Sequence, residues 1–232
     1  AGDEDEAPHD RVIITLDDGR RLHFNDTRKF GRLYLVDSPA RLLAPLGPEP
    51  LETSFTPAVL RARLQGRRGA LKTLLLDQRR LAGLGNIYTD EALWAARLHP
   101  LRRAGSLSPA EARRLHAAIR ETLARAIRHG GTTLGAGAAN FRGVAGRRGR
   151  HAGLLRVFRR HGRPCPRCGE IIRRLLVGGR ATHICPRCQP APPVPPAPCH
   201  PGTECGKTTS AQAAGAPSSP RRRTQGTERR GK

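Results

Sequence analysis

The 232-residue sequence contains no methionine at any position, the first included. That absence reads as a processed or partial chain. Aromatic residues make up only 3%, so a core has to be assembled from Leu, Ile, Val and Ala. No run of 18 apolar residues occurs, which excludes a membrane-spanning helix of ordinary length, and no signal peptide is read at the start. Acidic residues are scarce: 19 Asp and Glu stand against 42 Lys and Arg, a formal net charge of +23. A site for a neutral small molecule needs no such excess. A polyanion does, because each phosphate neutralised by a basic side chain releases a condensed counterion. Nucleic acid is therefore the expected partner, with an anionic membrane surface as the alternative. The basic residues are mostly arginine, which grips phosphate bidentately but is also favoured by a GC-rich genome.

Along the chain, residues 1–10 are acidic and read as a frayed leader. From Arg11 to Asp37 the pattern is that of strands. VIITL is rich in β-branched residues, DDGR is a hairpin turn, RLHF alternates, and LYLV closes the run. Three short strands cannot bury both their faces, so they are expected to be the end of a larger sheet domain. Residues 38–56 form a Pro-rich connection, and helices follow. Thr56 and Pro57 start one at TPAVLRARL. LKTLLLDQ is a second, stopped by AGLGN, and Asn86 is expected to cap a third, IYTDEALWAARL. The fourth opens on a capping box, Ser108 with Glu111, has Pro109 in its first turn and stops at Gly130. Its apolar stripe runs Leu115, Ile119, Thr122, Ala126. Residues 134–153 are rich in Gly and Arg and read as a flexible loop, and LLRVF as a short strand. Beyond Gln189 the composition turns to Pro, then Ser, Thr, Ala and a basic cluster, as expected of a disordered tail.

What is present is a four-cysteine pattern, C-x2-C-x16-C-x2-C, made by Cys165, Cys168, Cys185 and Cys188. Each C-x-x-C pair places two thiolates on one knuckle, and two knuckles complete a tetrahedron around Zn²⁺. The alternative is a pair of disulfides. Four protein thiolates leave no open position for water, so the zinc is expected to be structural. The intervening IIRRLLVGGRATHI reads as a hairpin that presents Arg180 on a rigid tip, suited to phosphate. By composition alone Arg180 would be an ordinary surface arginine. In LLLDQRRLAGLGNIYTDEALW, a helix, a Gly-x-Gly turn and an Asn-started helix expose N–H groups that favour an anion. Alone, GLGN is equally a tight turn with a cap.

Taken in order, DTRKFGRL, LGPEPL, LLLDQRRLAGLGNIYTDEALW, HPLR, GGTT and GGRATHICPRCQ give residues 8–189 a clear likeness. The chain resembles the formamidopyrimidine-DNA glycosylase family of bacterial base-excision repair enzymes. The resemblance implies an α+β fold: a partial β-sandwich over 1–50, a helix–two-turn–helix domain with a lesion-recognition loop over 51–150, a zinc-finger hairpin over 151–189 and a tail over 190–232. It implies a cytoplasmic, monomeric, bifunctional glycosylase and abasic-site lyase that acts on damaged double-stranded DNA and removes oxidised purines such as 8-oxoguanine, with one structural zinc. His9, Arg28, Phe30, Arg68, Lys72, Asn86 and Arg180 fall on its DNA-contacting positions. Arg28 and Phe30 match the residues that fill the space left by a flipped base, which stacking energetics require to be plugged. By position alone Arg28 would be hairpin surface and Phe30 sandwich core. Arg180 matches the hairpin arginine assigned as proton donor in δ-elimination.

Family members begin Pro-Glu-Leu-Pro-Glu, with the proline amine as nucleophile and the glutamate as acid, and a later hairpin lysine assists. These elements have no match here, and Phe158 stands where the family commonly has Tyr. A non-catalytic damaged-DNA binder is therefore the alternative function, and a zinc-ribbon RNA-binding or ribosomal protein the reading from another class.

Overall fold

The computed structural model describes residues 7–135 and 147–192. The middle of the 134–153 loop and all of the tail beyond Pro192 lie outside them. β1 (Asp10–Thr15) pairs antiparallel with β2 (Arg21–Asn25) in a register that sets Ile13 opposite His23. The turn between them is the expected one, with Gly19 at φ +80°. The expected third strand is absent: LYLV has no strand pairing among the described residues and is exposed along its length. Alternation marks a sequence that can be a strand, but a strand needs a neighbour to accept its ladder. The Pro-rich connection also holds a short helix the sequence did not announce, α1 (Ala40–Leu43).

The core lies in the helices. α2 (Pro57–Leu64) is capped as expected, the Thr56 hydroxyl accepting from the Val59 N–H. α3 (Leu71–Leu75) is shorter than LKTLLLDQ suggested. α4 (Asn86–Ala95) begins at Asn86, with Gly85 rather than Asn86 at the cap position. α5 (Pro109–Arg128) has its complete capping box, a feature worth about 1 kcal/mol. Leu115, Ile119, Thr122 and Ala126 are all buried. Phe55, Leu60, Leu64, Leu71, Leu75, Leu84, Leu93, Leu98 and Leu115 pack into one cluster between these helices. It is almost wholly aliphatic, as the shortage of aromatics requires.

After α5 the chain passes the loop and returns through a bridge between Thr132 and Arg150 and a 3-10 turn at His151–Leu154. LLRVF is therefore not a strand. Its Val157 and Phe158 are instead buried against other elements. β3 (Arg173–Val177) and β4 (Arg180–Ile184) form the expected hairpin, turning at Gly178 (φ +56°) and Gly179 (φ +72°). Glycine is needed there for its backbone conformation. At Gly178 space is also short: a Cβ would stand 3.0 Å from the Thr73 hydroxyl of α3, so the tip lies close against the helices. No helix among the described residues is long and apolar enough to cross a membrane.

Candidate nucleic-acid interface and metal centre

The four cysteines on the two knuckles are unpaired as disulfides, and their sulfurs all lie within 4.8 Å of one another. Cys168 and Cys185 are separated by 3.4 Å, and Cys165 and Cys188 by 4.0 Å, spacings that suit four thiolates around one ion. Burial pushes the Cys165 thiol up, but the Arg167 backbone N–H and the Trp94 indole N–H outweigh it and bring the thiol down to about 6. Burial pushes Cys185 up to about 12. Four sulfurs this close cannot all ionise without a cation among them, and Zn²⁺ supplies it. The donor set fits the metal, and the site is structural because four protein thiolates complete the tetrahedron and leave no open position for water.

The knuckles are tied into the helical body. Gln189 accepts from the Cys185 N–H and donates to the Leu98 carbonyl. Arg167 lies over the Trp94 ring, 4.0 Å from its centroid, and donates to the Trp94 carbonyl. Glu91 is buried in the middle of α4, and its carboxylate accepts from the backbone N–H groups of Arg156, Val157 and Phe158. That is how α4 holds the segment entering the zinc hairpin.

Arg180 stands exposed at the tip. Beside it the first turn of α4 carries no side-chain cap, and helical bonding starts with the Thr89 N–H donating to Gly85. The N–H groups of Asn86, Ile87 and Tyr88 precede it and lack an intrahelical acceptor. The Asn86 side chain donates to the Ala181 carbonyl at 3.1 Å. The loop glycines and the arginine tip are thereby brought to one place, although 95 residues separate Asn86 from Ala181.

Lys72 is placed differently from the other basic candidates. It is completely buried rather than lining a surface. Its ammonium has three protons, and three acceptors take them: Asp90 at 2.6 Å, Thr182 Oγ1 at 2.8 Å and the Ala181 carbonyl at 3.2 Å. Burial lowers its pKa, Asp90 raises it, and Arg180 lowers it further. No donor is left for a phosphate. The other carboxylate oxygen of Asp90 accepts from the His183 N–H at 2.9 Å and meets the His183 ring at 3.2 Å.

Arg68 is exposed near the start of α3. His9, Arg28 and Phe30 are on the β1–β2 segment. His9 is exposed at φ +80°, its carbonyl accepting from Asp26. The Arg28 guanidinium lies 5.5 Å from the centroid of the Phe30 ring, which is 78% exposed and thus not a core residue. Sequence reasoning missed Asp90, Glu91, Trp94, Thr182 and His183. The available signal was Asp90–Glu91, two adjacent acids inside an otherwise apolar helix, which in a basic chain need buried partners.

Two family models match the chain: the formamidopyrimidine-DNA glycosylase H2TH domain over residues 46–137, and the zinc finger found in FPG and IleRS over residues 162–191. Among curated relatives, formamidopyrimidine-DNA glycosylases of Symbiobacterium thermophilum and Protochlamydia amoebophila are 50% and 46% identical over 81% and 79% of this chain, and the match covers 62% and 66% of their own lengths. That of Herpetosiphon aurantiacus is 48% identical over 82% of this chain and 68% of its own. The chain thus spans about two thirds or less of the length of these relatives. Among solved structures, MutM (FPG) from Thermus thermophilus is similar with a TM-score of 0.73, at 45% identity, covering 82% of this chain and 71% of that one. Lactococcus lactis Fpg in complex with abasic-site DNA gives 0.73 at 35% identity, covering 82% and 69%.

Proposed function

The chain belongs to the formamidopyrimidine-DNA glycosylase family, and on that premise we propose that it grips damaged duplex DNA in base-excision repair of oxidised purines. The observation that carries this reading is the junction at Ala181. There the uncapped N-terminus of α4 and the arginine tip meet on one bonded surface, which offers backbone N–H groups and a guanidinium to the same stretch of phosphate. Arg28 and Phe30, stacked and exposed, have the size and chemistry to fill the gap left by an extruded base. His9 and Arg68 add basic contacts along the strand.

In the complete reaction as family members carry it out, glycosidic cleavage is followed by strand scission at the abasic site. In this reading Arg180 holds the phosphate beside the lesion and donates the proton needed in δ-elimination. The zinc contributes no chemistry to these steps. It stiffens the tip.

The experiment is duplex binding by the 232-residue protein across a salt series, with an abasic-site analogue, 8-oxoguanine and undamaged DNA. Tighter binding to the two lesions, with log K falling linearly in log [salt], is expected. Equal affinity for all three duplexes, or affinity that ignores salt, would overturn the reading.

A further inference from the structure

Among the described residues, Lys72 of α3 and Asp90 of α4 form the one buried ion pair of two full charges, and both partners also bond to β4 of the zinc hairpin. Such a pair is a costly thing to bury, and a well-packed apolar pair often serves stability as well or better. Its hydrogen bonds show what it is connected to. Lys72 Nζ donates to Thr182 Oγ1 at 2.8 Å, and the Thr182 hydroxyl donates to the carbonyl of Arg180 at 3.0 Å. Lys72 also shares the Ala181 carbonyl with Asn86. On the far side, Asp90 holds the backbone N–H of His183. Ala181, Thr182 and His183 of β4 are thus each bonded directly to a buried group on α3 or α4, and Arg180 at the tip is reached through the Thr182 hydroxyl.

Resting on the DNA-binding reading above, we propose that Lys72 is a positioning residue for Arg180: with Asp90 it fixes β4 against the first turn of α4, so that the guanidinium and the α4 N–H groups present one spacing to consecutive phosphates. Zinc shapes the hairpin internally, and the buried pair sets where the hairpin points. Lys72 itself touches no DNA.

The test is a double-mutant cycle on the zinc-loaded full chain, using an abasic-analogue duplex. Lys72→Met keeps length and removes the charge. It is expected to retain one zinc, to weaken binding by between about three- and thirtyfold, within the range of coupling seen for residues in one network, and to make the salt slope shallower by about one phosphate. In an Arg180→Ala background the same substitution should weaken binding no further. A general loss of stability would instead lower affinity by the same factor in both backgrounds and leave the slope alone, and that outcome overturns the proposal, as does parental binding by Lys72→Met. Thr182→Val cuts the relay to Arg180 without burying an unpaired charge. It should show the same pattern with a smaller loss, and it decides the matter by the same readouts if Lys72→Met fails to fold. Parental binding by Arg180→Ala alone would instead sink the DNA-binding reading itself.

Discussion

The indole N–H of Trp94 donates to the Cys165 sulfur across 3.4 Å, while the Arg167 guanidinium lies over the same ring. The only tryptophan in the chain is therefore in direct contact with a metal ligand. A hydrogen bond to sulfur stabilises the thiolate, and the stacked cation adds favourable charge nearby.

Chelation should accordingly be visible in the intrinsic fluorescence. Zinc removal breaks the contact between Trp94 and a fixed thiolate, so the emission should shift in step with metal loss measured by elemental analysis. Apparent binding energies of about 10–16 kcal/mol for sites of this type mean that the hairpin should unfold with it. One zinc per chain is expected, and none after Cys185→Ser with Cys188→Ser. Zinc retained by that double variant would contradict the assignment.

Arg180→Ala should weaken duplex binding by about 1.5–3 kcal/mol, the usual range for a hydrogen bond to a charged group. The slope of log K against log [salt] should fall by about one phosphate contact. Fluorescence anisotropy with a labelled abasic duplex measures both quantities.

Glu91 makes a separate prediction about stability. Its Oε1 serves the Val157 and Phe158 N–H groups and its Oε2 serves Arg156. Glu91→Ala orphans three donors and should cost about 3 kcal/mol or more in denaturant unfolding. Glu91→Gln keeps the carbonyl for two of them and should cost about 1 kcal/mol. Equal losses from the two substitutions would show that the carboxylate is not what holds the segment.

The pH dependence follows from buried rings. Burial lowers the pKa of His99, and burial with Arg125 and His129 lowers that of His151. The unfolded chain then takes up protons near pH 6.5 that the folded chain refuses, so their contribution is present above that pH and is lost as pH falls through the folded values. Glu91 acts the other way: burial raises its carboxyl pKa above 4.5, and its contribution is lost as pH rises through the folded value. Melting temperature should fall from pH 7 toward 5.5, and His151→Phe should reduce the slope. An unchanged slope in that variant would dismiss the ring as a source.

Borohydride trapping of the 232-residue polypeptide with 8-oxoguanine or abasic duplexes should yield no covalent adduct at a family-like rate. An imine needs an uncharged amine held at the sugar carbon, and the Lys72 amine is fully occupied inside the protein. A strong adduct would point to another amine, such as exposed Lys29, as nucleophile.

Local chemistry was legible in the sequence. The α5 capping box, the cysteine spacing and the Gly178–Gly179 turn each depend on residues close together in the chain, and the structure has them as expected. Features that depend on a distant partner were not legible. LYLV has the composition of a strand but no neighbour to pair with. LLRVF looks like a strand because Val157 and Phe158 are apolar, yet their N–H groups go to a carboxylate 66 and 67 residues earlier. Lys72 looks like a surface cation because its only strong acceptors, Asp90 and β4, come together late in the chain.

The two acids at the centre of α4 bear on how the chain assembles during synthesis. Asp90 Oδ1 already has Lys72 of α3, but Asp90 Oδ2 and both Glu91 oxygens wait for donors between Arg156 and His183, made 65 to 93 residues later. A growing chain completes α2 to α5 first, and until the hairpin emerges Glu91 and the second oxygen of Asp90 face water on a helix whose other side is already packed. The helical region and the zinc finger, matched by separate family models, are consequently bonded to each other through these two acids. A cut placed between them would leave the first half with solvated carboxylates in the place of an interface, and the second with a metal-stiffened hairpin that has nothing to aim it.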